Sequence, residues 1–213
     1  MTVKEILKLV CEFVGEKELC AKLKSEQEGD FSDRELEKLD CMVDCFNLVR
    51  QEIASDYLPF LTKEEIDINN SILEFSRLSK VLINVYQIKS KFGISLRFKL
   101  FPNFVEICGK AKSIVYSYLP EDLSLNDEVE FENGLTARVY AYGVASEFLL
   151  VDGLSEDAEI WEERFKESLF VLSRKRSEHI MPKRSWRWFF IRIKSLTKKL
   201  LKRTWFFRFL QMA

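Results

Sequence analysis

The stretch Ser32–Pro59, SDRELEKLDCMVDCFNLVRQEIASDYLP, decides how the chain begins to fold. Its apolar positions Leu36, Leu39, Val43, Phe46, Val49 and Ile53 recur at steps of three and four, the spacing that gathers side chains on one side of an α-helix. Ser32 or Asp33 is available as the N-cap, since a short polar side chain can accept from the free N–H groups of the first turn. Pro59 has no N–H to donate and disfavours helical backbone in the residue before it, which predicts a stop near Tyr57. Toward the N-terminus, Val3, Ile6, Leu7, Val10 and Phe13 predict an earlier helix, and Ser25–Asp30 a polar break. Residues 1–57 therefore read as helices.

Beyond Pro59 the period changes. Ile72–Phe75, Val81–Ile88, Ile94–Leu100 and Ser113–Tyr118 are rich in β-branched and aromatic residues, and Gly93, Pro102 and Gly109 punctuate them. They predict one small antiparallel sheet over 70–118. Leu119–Glu132 has no steady period and carries Glu121, Asp122, Asp127, Glu128, Glu130 and Glu132, so it reads as an exposed, solvated connector. Helical spacing returns in Leu135, Val139, Tyr142, Ala145 and Leu149. Gly153 suits a left-handed C′ position, and Ser155, Glu156 and Asp157 open a last helix with Trp161, Phe165, Leu169 and Leu172 on one face. Residues 134–173 thus form a helical hairpin. The expected class is α+β: a mainly helical body over 1–173, with a small antiparallel sheet insertion and a C-terminal amphipathic basic helix.

With 213 residues, 47% of them hydrophobic, the chain can bury a substantial core. Its charge is unevenly placed. Residues 1–173 hold 20 Lys and Arg against 33 Asp and Glu, a balance of −13; residues 174–213 hold 13 against the single acid Glu178, a balance of +12. Such asymmetry points to surfaces of opposite sign. Lys4, Glu5 and Lys8 interrupt the first apolar stretch, so no signal peptide is expected. An odd set of five cysteines fits a reducing compartment. Arg187, Arg192 and Lys194 divide the aromatic tail into pieces too short to cross a bilayer, which needs roughly 20 apolar residues.

The chemistry-bearing patterns are sparse. Cys41 and Cys45 stand at i, i+4, half of a metal site in spacing, but the lone His179 and the lack of a second cysteine pair favour small buried hydrophobes. His179 lies in a basic linker far from any glycine-flanked nucleophile. Neither phosphate-binding glycine motif occurs. The connector acids, lacking an apolar pocket to perturb them, read as solvated. No catalytic residue, metal or cofactor is expected; a hydrolase using the surplus acids would have to show metal dependence.

The working part is instead expected in residues 174–213. Trp186, Phe189, Ile193, Leu196, Leu200 and Phe207 fall at helical spacing, with Lys and Arg, Arg187 and Lys198 among them, filling much of the remaining circumference; Trp188 and Trp205 add to the expected partner-docking residues. Cations interleaved with Trp and Phe suit an anionic membrane surface, nucleic-acid phosphates, or a groove on a partner protein; packing against the chain's own acidic body is a fourth use.

The order of these parts resembles the head-to-tail adaptor, or tail tubular, proteins of tailed bacteriophages and prophages. The matching pieces are Val115–Pro120, where Tyr116, Tyr118 and Pro120 stand like a strand running into a Tyr-x-x-x-Pro turn, and the helix Tyr140–Leu150 with Ala141, Ala145 and Phe148; the likeness spans roughly residues 1–172. The resemblance implies a structural virion protein: a homo-oligomeric, dodecameric ring assembled in the bacterial cytoplasm, seated at the head–tail junction between the portal protein and tail or tail-completion proteins, with a channel through which DNA passes without sequence-specific contact. An acidic body would suit such a lumen. Under it, Trp186, Trp188, Phe189 and Trp205 would anchor the extension in the portal. The alternative expectation is a membrane-surface or nucleic-acid-binding protein acting through the same extension.

Overall fold

The computed structural model describes residues 1–25, 31–68, 71–131 and 134–178. The chain divides into two units, Met1–Arg174 and Lys175–Ala213; the first holds both sheets and the helices as far as Arg174. The element order is α1 (Val3–Val14), α2 (Lys17–Lys24), α3 (Asp33–Glu52), β1 (Leu61–Ile68), β2 (Ile72–Glu74), β3 (Leu82–Ser90), β4 (Phe98–Leu100), β5 (Phe104–Ile107), β6 (Ala111–Tyr118), α4 (Ala137–Val151) and α5 (Ser155–Glu178). The fold is α+β, as the change of period predicted.

Local chemistry sets the helix ends. Thr2 and Glu5 form a capping box on α1: the Glu5 N–H donates to Thr2 Oγ1 and the Thr2 N–H to the Glu5 carboxylate. Gly15, at φ 80°, then turns the chain into α2. On α3 the Glu35 carboxylate accepts from both the N–H and the hydroxyl of Ser32, 2.8 Å each. Helix α3 leaves regular geometry at Ile53–Tyr57, a π-turn closed by the Leu58 N–H on the Ile53 carbonyl at 2.7 Å. Helix α4 ends as a Schellman motif: the N–H of Gly153 (φ 78°) reaches the Leu150 carbonyl and that of Leu154 the Leu149 carbonyl.

The buried stripe of α3 is rotated from the expected one. Leu39, Met42, Cys45, Phe46, Val49 and Ile53 are buried, whereas Leu36 is exposed and Val43 only half-buried. Met42 and Cys45 turn inward because neighbouring helices pack there: Met42 meets Cys11 of α1, and α4 lies along the Cys45 side. That helix is buried around most of its circumference, through Val139, Tyr140, Ala141, Gly143, Val144, Ala145, Phe148 and Leu149, and it lies against both α1 and α3. Gly143 marks the closest approach: a Cβ there would stand 2.8 Å from Val49 Cγ1 and 3.0 Å from the Phe165 ring. Phe13, Tyr142 and Trp161 stack as three rings, with centroids 4.7–5.7 Å apart, joining α1, α4 and α5.

The single sheet expected over 70–118 is two three-stranded antiparallel sheets, ordered β1-β6-β3 and β2-β5-β4. Strand β1 begins at Leu61, well before the predicted boundary, and β5 was not foreseen. The sequence LTKEEIDI of β1 carries four charges; this edge strand turns Lys63, Glu65 and Asp67 outward, while Ile66 is buried and Glu64, on the same face, is half-buried. β6 is central, pairing with β1 from Leu61↔Ser117 to Ile68↔Ala111 and with β3 from Leu82↔Tyr118 to Ser90↔Ala111. The predicted strand Ile94–Leu100 is reduced to Phe98–Leu100, because Ser90–Ile94 forms a turn around Gly93 (φ 75°). One hydrophobic cluster runs through helices and sheets alike.

The connector is not the free loop expected. Asn47 clamps Leu123, donating to its carbonyl at 3.0 Å and accepting from its N–H at 2.9 Å. Arg50 donates to the Glu121 carbonyl, and the backbones of Met1, Val3 and Lys4 bond to Val129, Asp127 and Leu125. Val129 is buried, while the acidic side chains of Glu121, Asp122, Asp127, Glu128 and Glu130 remain exposed. A backbone this long needs its polar groups satisfied, and α1 and α3 supply the partners.

Candidate interaction surfaces

Of the groups that could support chemistry, the most ordered is a hydrogen-bonded trio that no motif foretold. The Tyr116 hydroxyl donates to Glu64 Oε2 at 2.8 Å, and the same oxygen accepts from the Ser79 hydroxyl at 3.0 Å and N–H at 3.2 Å. Burial would raise the Glu64 carboxyl, but these donors outweigh it and hold it below its ordinary value. Tyr116 is pushed up by burial and by the adjoining carboxylate. A carboxylate occupied by three donors and a phenol kept protonated make a poor base and a poor nucleophile. The trio ties β1 to β6 and to the segment before β3.

A second group lies where the π-turn meets α4 and α5. Glu52 is raised by burial, then by the negative charges of Glu147 and Asp56. Among the described residues, no three His, Cys, Asp or Glu side chains converge as they would around a metal ion. Cys41 and Cys45 lie on α3 as the spacing indicated, and burial, followed by the neighbouring Cys41, pushes the Cys45 thiol up to about 12. Cys11 is likewise raised to about 12 by burial, with its Sγ 3.9 Å from Met42 Sδ. Such thiols are protonated and unreactive near neutral pH.

The residues expected to dock a partner, Trp186, Arg187, Trp188, Phe189, Ile193, Lys198, Leu200, Trp205 and Phe207, lie outside the described residues, as does the predicted amphipathic helix they belong to. Two other surfaces, both inside the first unit, carry the features of contact sites.

The first is the outer side of α5. At 100° per residue, Ala158, Phe165 and Leu169 point inward and are buried, with Trp161 and Leu172 beside them. Glu156, Glu159, Ile160, Glu163, Glu167, Phe170 and Val171 fall on the opposite stripe. There Ile160 is 52% and Phe170 66% exposed. Ile160, four of these glutamates and the Glu162–Lys166 ion pair share this open side of the helix. Over 152–167 the chain holds seven acids against Arg164 and Lys166.

The second is the far end of the β1-β6-β3 sheet. The register Ser90↔Ala111 sets Lys91 and Lys110, each one residue beyond the pairing, at the same end. Between Lys91 and Gly93 the turn projects Phe92, 85% exposed, with Ile94 at 63%. Arg97 is held nearby, its carbonyl accepting from the Cys108 N–H at 2.9 Å. Residues 77–112 contain eight Lys and Arg and one acid, Glu106, so this part of the acidic body is itself basic.

Among the described residues, no helix is long and apolar enough to cross a membrane. No family model matches the chain, and no curated protein matches it.

Proposed function

We propose that this protein works as a non-catalytic assembly subunit, and that its assembly is a head–tail connector ring of a tailed phage or prophage, between portal and tail with DNA passing through. One observation carries the assembly reading: α5 is two-faced. Its inner face is already packed in the core, yet its outer stripe displays Ile160, Phe170 and Val171 among glutamates. An amphipathic helix that has buried one apolar stripe has no folding reason for a second, and apolar groups spaced between charges give a contact both area and register. The virion setting rests on the resemblance of Val115–Pro120 and Tyr140–Leu150 to adaptor proteins. In that setting the extension, through Trp186, Trp188, Phe189 and Trp205, is the portal anchor.

The test is solution mass by light scattering, alone and with the portal protein from the same genome. Rings, or rings nucleated by portal, are the expected outcome, and a W186A/W188A/F189A variant should lose portal binding while its own mass is unchanged. A monomer that binds neither portal nor tail proteins overturns the reading. If that monomer instead binds nucleic acid with steep loss of affinity as salt rises, the extension is a phosphate-binding element.

A further inference from the structure

Two surfaces of the first unit complement each other in charge, each with an exposed apolar side chain among its charges, and neither is its own mirror. We infer that the basic sheet tip of one subunit, with Lys91, Phe92 and Lys110, docks on the acidic outer stripe of α5, at Glu159, Ile160 and Glu163, of a second copy of this chain. The inference rests on the assembly reading and names the contact that would build it.

Several features favour a second copy over other occupants. The tip is the far end of the sheet: β1 has eight residues, so with a rise of roughly 3.3 Å each the strand carries that end about 25 Å from its start. Phe92 at that end is a rigid anchor with two rotatable angles, and Ile160 offers an exposed apolar contact on the α5 stripe. Lys91 adjoins Phe92 and Lys110 stands at the same end of the sheet, while Glu156, Glu159, Glu163 and Glu167 share the α5 stripe with Ile160. Cations flanking one exposed apolar side chain and anions flanking another orient the encounter and exclude like-charged alternatives. Because the two patches differ, the contact is heterologous: each subunit offers a tip and a stripe. Contacts of that type propagate, closing as a ring when the rotation between subunits divides a full turn.

The experiment is light scattering on the full chain over a concentration series, at about 0.1 M salt, where charges act over about 10 Å, and about 1 M, where they act over about 3 Å. Wild type should exceed the monomer mass at low salt and dissociate toward it at high salt. K91E/K110E should weaken association at least tenfold, E159K/E163K should do the same, and all four substitutions together should restore it by reversing both partners. Phe92→Ser should weaken association at both salt concentrations without changing the salt slope. Far-UV circular dichroism identical to wild type keeps these surface variants interpretable as folded protein.

Assembly that K91E/K110E leaves intact would overturn this contact while leaving the assembly reading standing. A wild-type mass that stays monomeric at every concentration, with portal protein present, would overturn both. A monomer that binds phosphatidylserine vesicles through Lys91 and Lys110 would overturn the contact in favour of an anionic membrane surface.

Discussion

The helical layer and the sheet module solve the same burial problem in different ways. In the layer, α4 is surrounded: Tyr140, Ala141, Val144 and Ala145 are fully enclosed, three aromatic rings stack across α1, α4 and α5, and the helix starts of α1 and α3 carry reciprocal caps. The sheet module has two three-stranded sheets, strands as short as three residues, and exposed Ile72, Tyr86, Phe92, Ile94, Leu100 and Phe101. Both regions bury large side chains, Ile88, Val105, Ile107, Ile114 and Tyr116 among them in the sheets, but the layer displays others mainly along the outer sides of its helices, whereas the sheet module displays them at its turns and short strands. Regions low in buried contacts open first and are the usual place for recognition.

Substitutions in the two regions should therefore separate sharply. Phe46→Ala, in the layer, removes a fully buried ring that meets Tyr140 at 5.5 Å. It should cost about 3–5 kcal/mol, read by chemical denaturation, in line with large-to-small changes in packed cores. Gly143→Ala is next. The added methyl would gain helix propensity but meet the stiff β-branched Val49 and the Phe165 ring. A net loss of about 1–3 kcal/mol is expected from overpacking, and a gain in stability would show that α3 and α5 can move apart.

Asn47→Ala tests the joint between the regions. It removes both bonds to Leu123 and should cost about 1–3 kcal/mol, with amide exchange faster in 121–125 than in α4. A smaller effect is expected at Glu35. The Lys22 ammonium, 2.5 Å away, and the two donors of Ser32 hold its carboxyl at about 2, below its ordinary 4.5. A depressed folded value means its contribution is complete above about 4.5 and is lost as pH falls through about 2. Glu35→Gln should flatten the acid limb of the stability profile in that window, and leave its shape above about pH 6 unchanged. Least of all should Phe92→Ser disturb folding: within about 0.5 kcal/mol, as for surface positions elsewhere. A large loss there would mean that the sheet tip belongs to the core, and would erase the contrast between the two regions.

How much was readable in residues alone follows the same division. The helices were legible because their stripes and caps are local: Val3 to Phe13, Ser32, and Gly153 in its left-handed position all act within a few residues. The face of α3 was displaced because Met42 and Cys45 are buried by neighbours distant in sequence, Met42 against Cys11 of α1 and Cys45 on the side of α4. β1 was missed because an edge strand can carry Lys63, Glu64, Glu65 and Asp67, and charge hid its pattern. The division into two sheets, the Glu64–Tyr116–Ser79 trio and the clamping of the connector depend on pairings that no local spacing encodes. So does the basic tip, which exists only because Ser90 pairs with Ala111. The outer stripe of α5 was within reach of helical periodicity, had Ile160 and Phe170 been placed on the wheel together with the buried residues.

The sheet module begins and ends at one doorway. Its first strand leaves the helical layer beside the point where its last returns, with the Tyr118 N–H on the Phe60 carbonyl at 3.1 Å and Leu61 paired to Ser117. Closing a chain between two adjacent points costs little more for a long excursion than for a short one, about 0.6 kcal/mol per doubling of length. Evolution can therefore lengthen, shorten or exchange this module as a cassette without re-engineering the scaffold that holds it. In descendants of this chain, variation in length should gather at the distal turns around Phe92 and Gly109, while the residues framing the doorway keep their spacing.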